Sequence, residues 1–172
     1  MAKFKANYYY HTIYDIQYQK LKKKGIKALI FDLDNTLGLI TEKNCPKESV
    51  QLIQKLKKDF KVFIISNNTK KRLTPYLEEL GIDGVWWSMK PLVRGLRKLK
   101  RKHDLQKEEM VLIGDQLVTD ILSGNSYQIE TILVDPLGKK DLKITSLNRL
   151  IEKWICRYYR KKGIFERGKY YE

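Results

Sequence analysis

The thirteen residues Gly25-Ile26-Lys27-Ala28-Leu29-Ile30-Phe31-Asp32-Leu33-Asp34-Asn35-Thr36-Leu37 constrain this chain more than any other stretch. Ala28 to Phe31 is a short apolar run with β-branched and aromatic members, entered at Gly25 and left through polar residues, which is the pattern of a buried strand. Asp32 and Asp34 follow it, one residue apart. Open α/β sheets hold their ligands in the crevice beyond the carboxyl ends of such strands. Two anions this close repel each other unless positive charge lies between them, and a hard divalent cation is the common solution. An Asp-rich turn would use the same residue types, so the rest of the chain has to decide.

The pattern recurs. Lys61–Ile65 reads as a second buried strand and ends in Ser66-Asn67-Asn68; Asp83–Trp87 reads as a third and leads to Ser88-Met89-Lys90-Pro91. Met110–Ile113, the fourth, ends in Gly114-Asp115-Gln116 with Asp120 close behind, and Glu130–Val134 is the fifth. Helical patterns over 46–58, 69–80, 92–103 and 119–126 separate them, with Gly81 supplying a left-handed stop for the second. Strands alternating with helices of this length predict a Rossmann-like α/β fold: a mostly parallel, right-handed, five-stranded sheet in a three-layer sandwich.

Four polar clusters therefore converge at strand ends, and together they form a set that phosphoryl transfer can use. That reaction needs an in-line nucleophile, positive charge on the phosphoryl oxygens and fixed donors. The Asp32 carboxylate can attack and form an aspartyl-phosphate. Asp34 can protonate the leaving oxygen and then activate water. Ser66 with neighbouring amides, and Asn67, can hold phosphoryl oxygens, while Lys90 adds a fixed charge. Asp32, Asp34 and Asp115 are the candidate Mg²⁺ ligands, alongside a backbone carbonyl, water and the substrate phosphate. Thr36 and Asp120 are expected in support, Asp120 as a second ligand or an orienting group.

On these residues the chain resembles the haloacid dehalogenase (HAD) superfamily. Asp32-Leu33-Asp34-Asn35-Thr36 is similar to its first motif, DxDxT; Ser66 to the second; Lys90 to the third; and Gly114-Asp115-x4-Asp120 to the fourth. An acid at the Asp34 position implies a phosphatase rather than a dehalogenase or a P-type ATPase. Within the superfamily's subfamily IIIA, Ile26–Leu37, Ser66-Asn67-Asn68 and Gly114-Asp115-Gln116 resemble the YqeG-type branch, related to phosphatidylglycerophosphate phosphatases. Residues 37–65 and 67–89 are each used up by a helix and a strand, leaving no room for a cap domain. Uncapped members of the family act on large substrates, and an open site gains specificity from its rim.

Charge bears on the partner. The net charge is +15, and it is uneven: residues 1–27 carry seven basic and one acidic side chain, and residues 137–172 eleven and four. Such a field favours nucleic acid or an anionic membrane surface. One domain over 1–172 is expected, with core 25–136, a basic amphipathic segment 1–24 and a helix 146–162 appended. The stripe Leu147, Leu150, Ile151, Trp154, Ile155, Tyr158, Tyr159 fits either packing on the sheet or lying on a bilayer. No run approaches a membrane span, the first 27 residues lack a secretory pattern, and Cys45 and Cys156 show no metal or disulfide spacing. A cytoplasmic protein, peripheral at the inner face of the membrane, fits these features. The expected function is a Mg²⁺-dependent phosphatase acting on a lipid headgroup such as phosphatidylglycerophosphate. The alternatives are the same chemistry on a nucleic-acid end or phosphoprotein, or a non-catalytic RNA- or ribosome-binding module.

Overall fold

A computed structural model describes residues 3–138 and 143–172, with side chains in the second stretch from residue 148 onward. Six parallel strands form one sheet: β1 (Tyr8–Tyr10), β2 (Ala28–Phe31), β3 (Lys61–Ile65), β4 (Asp83–Val85), β5 (Met110–Gly114) and β6 (Glu130–Val134), in the order β1-β6-β5-β2-β3-β4. The helices are α1 (Tyr18–Lys23), α2 (Lys47–Leu56), α3 (Lys70–Leu80), α4 (Arg94–His103), α5 (Leu122–Tyr127) and α6 (Lys143–Lys161). Strand order reverses between β2 and β5, whose residues pair in register from Ala28↔Met110 to Phe31↔Ile113. The crevice at that reversal is the standard ligand position of such a sheet.

Helices on both faces explain why the strands are apolar runs rather than alternating ones. Leu29, Phe31, Ile64, Val111 and Ile113 pack toward Ile53, Leu73 and Tyr76 of α2 and α3. Ala28, Ile30, Phe63, Ile65 and Leu112 pack toward Leu96 and Leu99 of α4 and Tyr127 of α5. Each such side chain contributes roughly 1.5–3 kcal/mol on burial. Thr69 caps α3 by accepting from the Arg72 amide, and Gly81 ends it at φ 61°. These local signals act as the sequence predicts. Turn, α2 and β3 occupy residues 37–65, and α3, β4 and a loop occupy 67–89, so among the described residues no cap covers the carboxyl end of the sheet.

The sheet has six strands rather than the expected five, and the difference lies in the N-terminal segment. Tyr8-Tyr9-Tyr10 extends along β6, pairing Tyr8↔Ile132 through Tyr10↔Val134, and among the described residues before β2 only the six of α1 are helical. Tyrosine suits a half-buried pleated surface, and the open edge of β6 supplies the hydrogen bonds. The C-terminal tail then covers β1: Tyr9 and Tyr171 exchange both backbone hydrogen bonds, at 2.8 and 3.0 Å.

The amphipathic stripe of α6 divides. Tyr159 is buried in a cluster with Tyr9, Leu117, Ile121, Leu133 and Phe165, and Ile155 packs against it. Leu150, Ile151, Trp154 and Tyr158 are exposed. Leu147 lies outside the described side chains. Among the described residues, no helix is long and apolar enough to cross a membrane.

Candidate active site

Asp32 stands immediately beyond β2, its amide donating to the Ile113 carbonyl of β5 at 2.8 Å, so the sheet itself fixes it at the strand-order reversal. Across from it, Lys90 Nζ donates to Asp32 Oδ1 (2.5 Å), Asp120 Oδ1 (2.7 Å) and the Ile65 carbonyl (3.1 Å), using all three of its donors. Lys90 is 6% exposed and Asp120 fully buried. Burial disfavours the ammonium, but Asp120 and Asp32 outweigh it and hold the Lys90 pKa above the ordinary lysine value.

Asp32, Asp115 and Asp120 each bring a carboxylate oxygen within 4.8 Å of the other two. Burial raises Asp32 well above the usual carboxylate range; Lys90 opposes that, while Asp120 and Asp115 add to it. Burial likewise pushes Asp115 up to about 7, with Arg149 acting against it and Asp120 with it. Gly114 is required for this packing, since a Cβ there would lie 2.3 Å from Asp120 Cγ. Buried carboxylates that crowd and resist ionisation, offering only oxygen donors, fit a hard divalent cation such as Mg²⁺.

Asp34 lies apart from that trio. Arg72 of α3 grips its Oδ1 through Nε (3.1 Å) and Nη2 (2.9 Å), and Asn68 Nδ2 donates to its Oδ2 at 3.1 Å. The Asp34 carboxylate, counted with Asp32 and Asp115 as a metal candidate, is therefore held by an arginine and an amide, and Asp120 takes the third place in the group. Burial opposes the Arg72 charge, but Asp34 holds its pKa above the ordinary value.

Ser66 is buried after β3, its hydroxyl accepting from the Asn68 amide at 3.1 Å. Asn67, expected at the phosphate, has its amide engaged elsewhere: Oδ1 accepts from Lys90 N and Ser88 Oγ, both at 2.7 Å, and Nδ2 donates to the Lys90 carbonyl at 2.8 Å. It braces the loop that presents Lys90. Thr36 Oγ1 donates to Asp115 Oδ1 at 3.4 Å.

Two further groups come from the C-terminal helix. Arg149 donates to the Asp115 carboxylate and, at 3.3 Å, to the Asp115 carbonyl. Glu152, buried on the same helix, accepts from the Leu117 and Val118 amides, and from Arg149 Nη1 at 3.2 Å. Arg167 Nη2 donates to the Asp115 carbonyl at 3.1 Å. Sequence reasoning alone gave Arg72, Arg149, Glu152 and Arg167 no part in the site. Only Arg72 carries a local signal, standing three residues after the Thr69 cap and so one turn from the strand end.

Comparison with known proteins agrees with the geometry. A mitochondrial PGP phosphatase family model matches residues 3–75, and a HAD-hydrolase-like one residues 89–143. The chain is 37% identical over 153 residues to Probable phosphatase YqeG of Bacillus subtilis, covering 88% of this chain and 89% of that protein. It is 26% identical to the chloroplastic/mitochondrial phosphatidylglycerophosphate phosphatase 1 of Arabidopsis thaliana, covering 87% of this chain but 46% of the plant protein. The fold is shared with the cobalt-bound deoxy-D-mannose-octulosonate 8-phosphate phosphatase of Haemophilus influenzae, at a TM-score of 0.51 and 19% identity over 84% of this chain and 95% of that one. With its four strand-end motifs in order on an uncapped parallel sheet, this chain belongs to the haloacid dehalogenase superfamily, as a phosphatase of the YqeG type similar to phosphatidylglycerophosphate phosphatases.

Proposed function

We propose that the protein is a Mg²⁺-dependent phosphomonoesterase that takes a lipid headgroup phosphate, such as that of phosphatidylglycerophosphate, and works through an aspartyl-phosphate on Asp32. The observation that carries the chemistry is the contact of Lys90 with both Asp32 and Asp120 inside the three-carboxylate group. Asp32, Asp115 and Asp120 would hold the ion. When bound, it supplies the positive charge that keeps these buried carboxylates ionised and offsets that of the phosphoryl oxygens.

An Asp32 carboxylate oxygen bonds to phosphorus as the phosphorus–oxygen bond to the alcohol breaks, and Asp34 gives the leaving oxygen its proton. Water then attacks the phosphorus of the aspartyl-phosphate and loses a proton to Asp34. Inorganic phosphate leaves and the Asp32 carboxylate returns. Ser66 and neighbouring amides hold the phosphoryl oxygens, and Lys90 stabilises the charge gathering on them. Asp34 can serve both halves because Arg72 and Asn68 fix its position. Support for the lipid substrate comes from the similarity to phosphatidylglycerophosphate phosphatases, the open site and the basic termini.

Phosphate release from phosphatidylglycerophosphate in detergent micelles, a 5′-phosphorylated oligonucleotide and sugar phosphates, with Mg²⁺ and with chelator, tests the assignment. Chelator-sensitive release from the lipid is the expected result. Release from the oligonucleotide or sugars instead would move the substrate and keep the chemistry. Asp32→Asn should abolish turnover, a loss of about 10⁴-fold or more for a missing nucleophile. Full turnover in that variant would place the nucleophile elsewhere.

A further inference from the structure

The loop that delivers Lys90 presents two unlike faces. Ser88 and Lys90 turn inward, to Asn67 and to the carboxylates. Trp87, Met89 and Leu92 turn outward and are 65%, 48% and 58% exposed. Trp87 has φ 48° and Met89 φ 60°, a left-handed conformation that bulky residues seldom adopt. The alternation of inward and outward side chains goes with these angles. Glycine or asparagine would adopt them more easily, so backbone geometry does not call for tryptophan or methionine here. What the two residues add is apolar surface at the rim of the site.

The surroundings of that surface are cationic. Lys70 and Lys98 lie over the Trp86 ring at 5.2 and 5.5 Å, and Arg94 is exposed next to them. Residues 84–103 contain seven Lys and Arg and no Asp or Glu. A cavity of about 250 Å³ opens among Trp86, Met89, Arg94 and Lys98. On the far side of the strand-order reversal, α6 brings Arg149 to Asp115 and leaves its neighbours Leu150 and Trp154 exposed.

We propose that the Trp87–Met89–Leu92 rim docks into the interface of an anionic phospholipid bilayer, with Lys70, Arg94 and Lys98 over lipid phosphates and the Asp32–Lys90 site facing the headgroup layer. This rests on the lipid-headgroup reading above. Charge complementarity and side-chain type carry it. Tryptophan flanked by lysine and arginine is the composition of membrane–water interfaces. Trp87 could stack on a base, but methionine and leucine neither stack on bases nor hydrogen-bond to them, so a nucleic acid would leave the exposed Met89 and Leu92 in water.

The test is sedimentation of the full chain with vesicles of phosphatidylglycerol and phosphatidylcholine, with pure phosphatidylcholine vesicles and structured RNA as comparisons. Chelator is present throughout so that nothing is turned over. The variant Trp87→Asn/Met89→Asn/Leu92→Gln places a residue tolerant of positive φ at each strained position. Wild type should bind the anionic vesicles, and the variant should bind them about tenfold or more weakly. With Mg²⁺, the variant's turnover of soluble p-nitrophenyl phosphate should stay within about twofold of wild type if the site is intact. Leu92→Gln alone, outside the strained positions, should weaken vesicle binding several-fold and serves if the triple variant does not fold. Wild-type vesicle binding by the folded variant overturns the proposal, as does binding of RNA but not of vesicles. The micelle assay separates the two readings: lipid hydrolysis without vesicle binding removes the docking face alone. Rim-dependent vesicle binding without lipid hydrolysis removes the substrate and leaves the docking face.

Discussion

Asp34 has both carboxylate oxygens occupied, one by the Arg72 fork and one by Asn68. Arg72 is itself held in place by the carbonyls of Leu39 and Glu42. For the proton carrier proposed above this matters, because a reacting group displaced by about 1 Å can lose two orders of magnitude in rate. Arg72→Ala should therefore lower kcat by about 10²-fold with a smaller change in KM, and Arg72→Lys should recover only part of the loss because an ammonium cannot reproduce the fork. Steady-state kinetics on a soluble phosphomonoester reads both. An Arg72→Ala enzyme with wild-type kcat would remove Asp34 from the proton-transfer role. The residues Asp32, Ser66, Lys90 and Asp115 were legible because each follows a local apolar run that marks its own strand or a short loop after it. The Arg72 contact, 38 residues away in sequence, was not, since nothing local says which helix face meets which strand end.

At the scale of elements, α6 braces the catalytic end of the sheet. Its buried Glu152 takes the Leu117 and Val118 amides at the start of the segment that carries Asp120, and its Arg149 sits on Asp115. Glu152→Ala would strand those two N–H groups and leave Arg149 and Arg167 without their shared carboxylate. Removing one partner from a buried charged network destabilises by about 3–5 kcal/mol. Chemical denaturation should show a loss of that order, and activity should fall with it where the fold survives. A change at the exposed Trp154 should leave stability within about 0.5 kcal/mol. The stripe on α6 was visible in the sequence. Its division into a packed side and an exposed side was not, because the inward face depends on a buried glutamate that amphipathic spacing counts as polar.

For the molecule as a whole, the buried carboxylates link stability to pH and to metal. Folded Asp115 keeps its proton up to about pH 7, whereas the unfolded carboxyl releases it near pH 4. Between those values the folded state binds more protons, so each rise in pH favours the unfolded chain. Asp32 is shifted in the same direction. In chelator, the Tm should therefore fall between pH 5 and pH 8 more steeply for wild type than for Asp115→Asn, by on the order of 5 °C. Mg²⁺ should recover the loss at pH 8 and do little at pH 5, where protons hold the sites. Differential scanning calorimetry at the two pH values decides it, and equal slopes for the two proteins would mean that Asp115 titrates normally.

The sequence by itself determined the parts that depend on near neighbours. Apolar runs specified β2, β3, β5 and β6, Thr69 and Gly81 bounded α3, and the residues just beyond the strands named the phosphatase family. The tertiary structure decided what depends on surfaces meeting. It made Tyr8–Tyr10 a strand by offering the edge of β6, gave Asp120 the place beside Asp32 and Asp115, and turned Asn67 toward the Lys90 loop. It also set Arg149 and Glu152 of the last helix against the fourth motif, some 34 residues away in sequence. Short-range hydrogen bonding and periodic burial are written along the chain, whereas these contacts exist only once the helices have packed on the sheet and closed long loops around it.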